Sequence, residues 1–249
     1  MTVLVTRPAA DARRTIGKLA RMGIDAIAAP ALDIVPVDRF EVAERPAALL
    51  LTSANAVAAI AARPDLDRLR QVPTFAVGDR TADAARQAGF RDVRSAGGDA
   101  GDLAALVRLT LEAGGREPGR GPVVYLSGRD VSADLDEDLR RAGYRCERVV
   151  VYEARPAADL PDAVKAAISQ GMVSAILFHS ARSALAFGAI TERTGLSARL
   201  ARVPAVVLSE GVRTAAASCG FMVVAVAEAP NERALLAALE GLVKARRQQ

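Results

Sequence analysis

Tryptophan is absent from this 249-residue chain, histidine occurs once (His179) and cysteine twice (Cys146 and Cys219). Two cysteines exclude a disulfide scaffold and a four-cysteine zinc site, and one histidine excludes a histidine-rich metal centre. No metal and no cofactor are expected. Aromatic residues make up only 4% of the chain, and Lys18, Lys165 and Lys244 are its only lysines, so arginine carries the net charge of +4. Basic residues form no block longer than a pair such as Arg246-Arg247 at the tail, a pattern that argues against nucleic acid as partner and leaves an acidic small molecule open. No apolar run approaches the roughly 18 residues of a membrane helix. The four apolar residues ahead of Arg7 and Pro8 are too few for a signal-peptide core. The expectation is a soluble, cytoplasmic monomer with reduced cysteines and no membrane partner.

What the chain does contain is 51% hydrophobic residues in short, regularly placed runs. Segments 3–6, 49–53, 74–78, 123–127, 175–180 and 205–209 are apolar nearly throughout, as in parallel strands covered on both faces. Between them lie alanine-rich segments of helical period, among them 9–22, 55–62, 80–88, 134–142 and 232–244. Several stop at Gly23, Gly89, Gly143 or Gly220, where a helix ends most easily. Alternation of strand and helix along the whole chain predicts an α/β fold with parallel sheets.

The pattern repeats. Phe75-Ala76-Val77-Gly78 through Gly89-Phe90 and Val93 echoes Val206-Val207-Leu208-Ser209 through Gly220-Phe221 and Val224, at a constant offset of 131 residues. Leu51-Thr52-Ser53 echoes Phe178-His179-Ser180, and the opening strand with Thr6-Arg7 echoes the strand ending Ser127-Gly128-Arg129. The order A-B-A′-B′ predicts two similar lobes. Two extended, proline-bounded segments, 31–37 and 149–156, stand outside the units as connectors, and the glycine-rich stretch 114–121 reads as a loop.

Familiar catalytic patterns are missing. The glycines of 114–121 lack the Lys-Ser/Thr of a P-loop and precede a strand, no G-x-G-x-x-G follows the first strand, and there is no G-x-S-x-G elbow. His179 and Ser180 are neighbours on one strand and face opposite sides, so they form no nucleophile–base pair. His179 reads as structural, and both cysteines as buried small hydrophobes. What recurs instead is a strand that ends in a small polar residue and leads into a helix: Thr6-Arg7, Thr52-Ser53-Ala54-Asn55, Gly78-Asp79-Arg80-Thr81, Ser127-Gly128-Arg129, Ser180-Ala181-Arg182-Ser183 and Ser209-Glu210-Gly211-Val212-Arg213. Each alone is explained as an N-cap. Six such ends, five of them with an arginine, also suit an anion-binding crevice at the carboxyl ends of the strands. A site of this composition would work on a reactive substrate by holding it in position. A two-lobed, non-enzymatic binder of a small acidic ligand would carry the same features.

An ordered set of short motifs resembles the uroporphyrinogen-III synthase family. They are Val5-Thr6-Arg7-Pro8, Leu32-Asp33-Ile34-Val35-Pro36-Val37, Leu51-Thr52-Ser53-Ala54-Asn55-Ala56-Val57, Ala76-Val77-Gly78-Asp79-Arg80-Thr81-Ala82, Val150-Val151-Tyr152-Glu153-Ala154, Phe178-His179-Ser180-Ala181-Arg182-Ser183-Ala184 and Pro230-Asn231. The resemblance implies two α/β lobes joined by a two-stranded linker. One lobe comprises 1–31 and 158–249, the other 39–148, with linker strands 32–38 and 149–157. It implies a cofactor-independent lyase that closes hydroxymethylbilane, a linear tetrapyrrole with eight carboxylates, with inversion of ring D and loss of water. By the same resemblance Tyr152 would assist departure of the substrate hydroxyl as a proton donor, since a phenol keeps its proton at neutral pH. Ser53, Asn55, Gly78, Thr81, Ser180 and Ser183 occupy the family's strand-end motifs, and Arg7, Arg129 and Arg182 are the expected carboxylate partners. Gly211 stands where the family often has Gly-Pro-Thr-Thr; Ser209-Glu210-Gly211-Val212 lacks those threonine hydroxyls, leaving backbone N–H groups or Arg213 as the anion donors there.

Overall fold

The computed structural model describes residues 2–113, 121–131 and 135–247, with side chains as far as 245. Most of the expected glycine-rich loop (114–120), Asp134 and the side chains of Arg246-Arg247 lie outside the described residues. In chain order the elements are β1 (Thr2–Val5), α1 (Ala9–Arg21), β2 (Asp25–Ala28), β3 (Leu32–Pro36), β4 (Ala48–Leu51), α2 (Ala54–Ile60), α3 (Leu66–Leu69), β5 (Thr74–Ala76), α4 (Asp79–Gln87), β6 (Val93–Ser95) and α5 (Ala100–Ala113). They continue with β7 (Val123–Gly128), α6 (Leu135–Arg141), β8 (Cys146–Pro156), α7 (Asp162–Ser169), β9 (Val173–Phe178), α8 (Ala181–Arg193), α9 (Ser197–Leu200), β10 (Pro204–Val207), α10 (Glu210–Ser218), β11 (Met222–Val226) and α11 (Glu232–Arg247).

The chain divides into a split unit, Met1–Asp33 with Arg155–Gln249, and a continuous unit, Ile34–Ala154. The sheet of the split unit has the order β11-β10-β9-β1-β2, and all four of its pairings are parallel. The other sheet has the order β3-β8-β7-β4-β5-β6; its pairings from β8 to β6 are parallel. Along β3 and β8 the backbone runs in opposite directions, with Val37 N–H donating to Val151 O (2.9 Å) and Ala157 N–H to Ala31 O (3.0 Å). The first half of β8 therefore does more than connect: from Cys146 to Tyr152 it pairs with β7 as a sheet strand.

Strands without polar residues need cover on both faces, and they have it. In the continuous unit Leu49, Leu51, Val124 and Leu126 face Ala56, Val57 and Ile60 of α2. The alternate residues Ala48, Leu50, Val123 and Tyr125 face Leu103, Val107 and Leu111 of α5 and Leu135 and Leu139 of α6. In the split unit Val3, Val5, Ala175, Leu177 and Val206 pack against Leu19 of α1 and Leu235, Leu239 and Val243 of α11. On α1 the buried residues Ala12, Thr15 and Leu19 recur at helical spacing. Gly23, Gly89, Gly143 and Gly220 all take positive φ, from 69° to 91°, so the helices end where their glycines do.

The echo in the sequence is an echo in space. Gly89-Phe90 and Gly220-Phe221 each turn a helix into an edge strand, β6 beside β5 and β11 beside β10, with Phe90 and Phe221 buried. Reading β6-β5-β4-β7-β8 against β11-β10-β9-β1-β2 matches the two sheets strand for strand. The continuous unit takes its strands in the chain order B then A′. The split unit takes B′ from the end of the chain and A from its start.

Neither cysteine is placed for chemistry. Burial pushes the Cys146 thiol up to about 12. Cys219 is half-buried rather than buried, and it closes the packing of α8 on α10: a Cβ added to Gly188 would meet its Sγ at 2.6 Å and its Cβ at 2.7 Å. Gly188→Ala is expected to destabilise the protein by about 1–3 kcal/mol, despite the better helix propensity of alanine. Adding Cys219→Ala should recover part of the loss. Urea unfolding of both variants checks this, and an unchanged midpoint for Gly188→Ala would contradict the packing argument.

Candidate functional site

In each sheet the direction of winding reverses once, between β4 and β7 in the continuous unit and between β9 and β1 in the split unit. At such a reversal the helices leave on opposite faces, and a crevice opens at the carboxyl ends of the strands. The continuous unit has a cavity of about 350 Å³ there, at the small end of the range for ligand sites. Thr52 and Ser53 line it beyond β4, Val77 beyond β5, Asp99 and Ala100 at the start of α5, Tyr125 and Gly128 on β7, Asp130 and Val131 beyond it, Leu135 on α6, and Tyr152 on β8.

Tyr152 is set in place by the backbone beneath it. The register of β7 against β8 slips between Ser127 and Gly128, so Ser127 lies opposite Val150 and Gly128 opposite Tyr152. Arg148 braces this irregularity: its guanidinium donates to Ser127 Oγ (3.0 Å), Gly128 O (3.0 Å) and Arg129 O (2.6 Å). The phenol then lies over Gly128, where an added Cβ would come within 2.8 Å of Cζ and 3.0 Å of Oη. Only glycine leaves room for the ring. Beside it Tyr125, 2% exposed, shares a 2.9 Å hydrogen bond between its hydroxyl and that of Thr52. Burial raises the pKa of Tyr125 above the ordinary tyrosine value, against the opposing effect of the bond it shares with Thr52, so its phenol keeps the proton. Asp99 caps α5: its Oδ1 accepts from the N–H groups of Gly101 (2.8 Å) and Asp102 (3.2 Å), while Asp102 Oδ2 accepts from Asp99 N–H (2.9 Å).

Of the residues singled out from sequence, the cavity brings together Tyr152 and Ser53. The Ser53 hydroxyl accepts from Asn55 N–H at 3.1 Å and caps α2. Asn55, Gly78 and Thr81 sit in the adjoining first turns of α2 and α4, with Thr81 buried. Arg129 reaches out to Glu153, with Nε donating to Oε1 at 2.7 Å, and its N–H holds Tyr152 O at 2.9 Å. In the split unit Ser180 caps α8 through Ser183 N–H (3.1 Å), and the two serine hydroxyls lie 2.8 Å apart. Arg182 and Gly211 are exposed on the first turns of α8 and α10. Arg7 is drawn into an internal network, where it donates to Glu232 Oε1 (3.0 Å) and lies 3.9 Å from Asp11. Lys18 and Thr15 also bind Glu232. Although burial alone would raise its pKa, these donors and the charges of Lys18 and Arg7 hold Glu232 down to about 2.

Sequence reasoning passed over Tyr125 as a site residue and took Thr52 only as part of a strand-end motif, although a signal was present. Tyr125 is the one polar-tipped residue in the run 123–126, and a buried hydroxyl needs a partner. It also passed over what Gly128 does, since that role depends on a ring 24 positions away in the chain.

His179 occupies the strand-end position of the split unit that Thr52 holds in the continuous one. Both its ring nitrogens are buried without a hydrogen-bond partner among the described residues. Burial, with the charge of Arg7 adding to it, pushes its pKa down to about 3. Its folded pKa lies below the unfolded value of about 6.5, so below that pH the unfolded chain binds the proton first. Stability should then fall as the pH drops from 6.5 towards 3, by up to about 1.4 kcal/mol per pH unit. As the only histidine, it should make urea unfolding of the wild type fall off more steeply from pH 7.5 to 5 than that of His179→Gln; parallel curves would contradict this assignment.

The sequence profile of the family described as uroporphyrinogen-III synthase HemD matches residues 13–237. No curated protein sequence matches the chain significantly. Among solved structures, the uroporphyrinogen-III synthetase of Helicobacter pylori shares the fold with a TM-score of 0.64 at 18% identity, over 97% of this chain and 99% of that one. A mutant uroporphyrinogen III synthase of the extremely thermophilic bacterium Thermus thermophilus matches over the whole of both chains with a TM-score of 0.51 at 19% identity. A profile match over most of the chain, joined to a common fold, shows that the chain belongs to the uroporphyrinogen-III synthase family, the cofactor-independent cyclising lyases of tetrapyrrole biosynthesis.

Proposed function

We infer that this chain closes hydroxymethylbilane to uroporphyrinogen III with loss of one water, and that Tyr152 supplies the proton for the departing hydroxyl. The family match over residues 13–237 carries the reaction. The placing of the Tyr152 phenol over Gly128, in a crevice at the winding reversal, supports its role. The C–O bond of the hydroxymethyl group breaks, its electron pair leaves with the oxygen, and the phenol proton completes the water. The azafulvenium ion that remains, still carrying its pyrrole N–H, is attacked by the substituted carbon of ring D. A spiro intermediate then fragments and recloses with ring D inverted, and the ring proton released on rearomatisation restores the phenol. Left alone, the substrate closes without inversion. The protein's contribution is therefore chiefly to hold the chain in the geometry from which the inverted closure is faster.

A substrate with eight carboxylates needs cations and N–H donors. Arg129 beside Tyr152, and in the split unit Arg182 with the first-turn N–H groups near Ser180, Ser183 and Gly211, are the proposed contacts. Asn55, Gly78 and Thr81 are proposed to contribute from the first turns of α2 and α4. Arg7, beyond β1, is proposed as a further contact, and it also supports the split unit through Glu232.

The deciding assay supplies freshly generated hydroxymethylbilane and separates the oxidised products by chromatography. Type III uroporphyrin should predominate; type I alone, at the spontaneous rate, would refute the reading. Tyr152→Phe is expected to lower kcat at least about tenfold without loss of thermal stability; Gly128→Ala, whose Cβ would displace the ring, should also lower kcat, with a loss of stability beside it. Arg182→Ala should raise KM and leave kcat near the wild-type value, whereas unchanged KM would remove it from the site.

A further inference from the structure

The cavity of the continuous unit is unlike the rest of an anion site. Among its described lining residues there is no lysine and no arginine; the charged groups are Asp99 and Asp130, and the other polar side chains are the hydroxyls of Thr52, Ser53, Tyr125 and Tyr152. Carboxylates would be repelled here, so a ring seated in the cavity keeps its own two carboxylates turned outward, towards donors beyond the lining. A pyrrole N–H or an alcohol would find acceptors and donors, and a volume of about 350 Å³ holds one ring of a tetrapyrrole rather than four. The end of the substrate that carries an uncharged alcohol is the hydroxymethyl end.

We propose that Tyr125 is a positioning residue for that end. Its hydroxyl donates to Thr52 Oγ, which directs the Thr52 O–H into the cavity to hold the departing hydroxyl oxygen. The inference rests on the function proposed above. Of the two hydroxyls sharing the 2.9 Å bond, the phenol is the stronger donor. Tyr125 packs in the apolar layer formed by α5 and α6, and a proton lost there would leave a phenolate in an apolar setting. It therefore donates and holds its proton, while Tyr152, half-buried and over Gly128, delivers one. Thr52 takes no part in proton transfer. Its O–H bond to the leaving oxygen strengthens as negative charge develops on that oxygen, so its contribution falls on kcat rather than on KM.

The test is the steady-state isomer assay on wild type, Tyr125→Phe, Thr52→Val, Thr52→Ser and the double variant Tyr125→Phe/Thr52→Val, with the thermal midpoint of each recorded. Tyr125→Phe and Thr52→Val should each lower kcat about fivefold to tenfold, the size of one hydrogen bond, with KM within about twofold of wild type. Thr52→Ser, which keeps the hydroxyl, should retain wild-type kcat. The double variant should be no slower than the slower single, because both act through one bond. Unchanged kcat in Tyr125→Phe, losses confined to KM, or losses that multiply in the double variant would each overturn the proposal while wild-type activity stands. If Tyr125→Phe does not fold, the contrast between Thr52→Val and Thr52→Ser decides in its place, equal kcat in the two being the refuting result. A wild type that forms only the type I isomer would overturn the proposed function, and this inference with it.

Discussion

Parallel strands cannot be joined by tight turns; each connection must travel back over a face of the sheet, and with right-handed crossovers the direction of travel decides which face. In the continuous unit the path from β4 leads towards β6, with α2 packed on one face, while the path from β7 leads to β8, with α6 packed on the other. The gap between those two departures is the cavity. Everything that gives the cavity its chemistry hangs on this reversal: Thr52 and Ser53 at the end of β4, Tyr125 and Gly128 on β7, Tyr152 on β8. None of them needs an unusual loop, because the strand ends deliver them.

The same reversal in the split unit carries different side chains. His179 stands where Thr52 stands in the other unit, and Arg7 beyond β1 is engaged with Glu232 at the start of α11. One architecture thus presents a hydroxyl-rich and acidic cavity in one unit, and in the other a buried neutral imidazole beside an ion-pair network. The repeat supplies a scaffold, and the residues at the strand ends supply the difference.

A backbone irregularity, rather than a reactive side chain, places Tyr152. The slip in register at Ser127–Gly128, braced by the guanidinium of Arg148, brings the ring over a residue with no Cβ. Such bulges re-aim a side chain at the cost of a ladder bond, and they recur beside active sites. A reaction whose difficulty is the choice between two closures of one chain suits this economy, since the choice rests on the position of the reacting ends.

Much of the fold was legible because it rests on local rules. Continuous apolar runs such as 49–51 and 175–178 announce strands buried on both faces, and helices end at Gly23, Gly89, Gly143 and Gly220 because only there is a positive φ inexpensive. The echo between 75–93 and 206–224 announces two similar sheets. Periodicity, however, is blind to which repeat closes on which. The union of β1 with β9, across 171 residues from Thr6 to Leu177, is a tertiary fact, to which only the family resemblance pointed. The candidate site divides in the same way. Ser53 and Ser180 could be found because a cap acts on its own helix within three residues. Tyr125 with Thr52, and Gly128 with Tyr152, could not, because each pair joins strands whose neighbourhood is settled only when the sheet forms. Sequence alone determined the buried central strands, the helical pattern and the repeat, but not the edge strands β2, β6 and β11; the tertiary structure decided which strand ends meet, and so which hydroxyls share a cavity, because sheet order is set by long-range pairing rather than by local pattern.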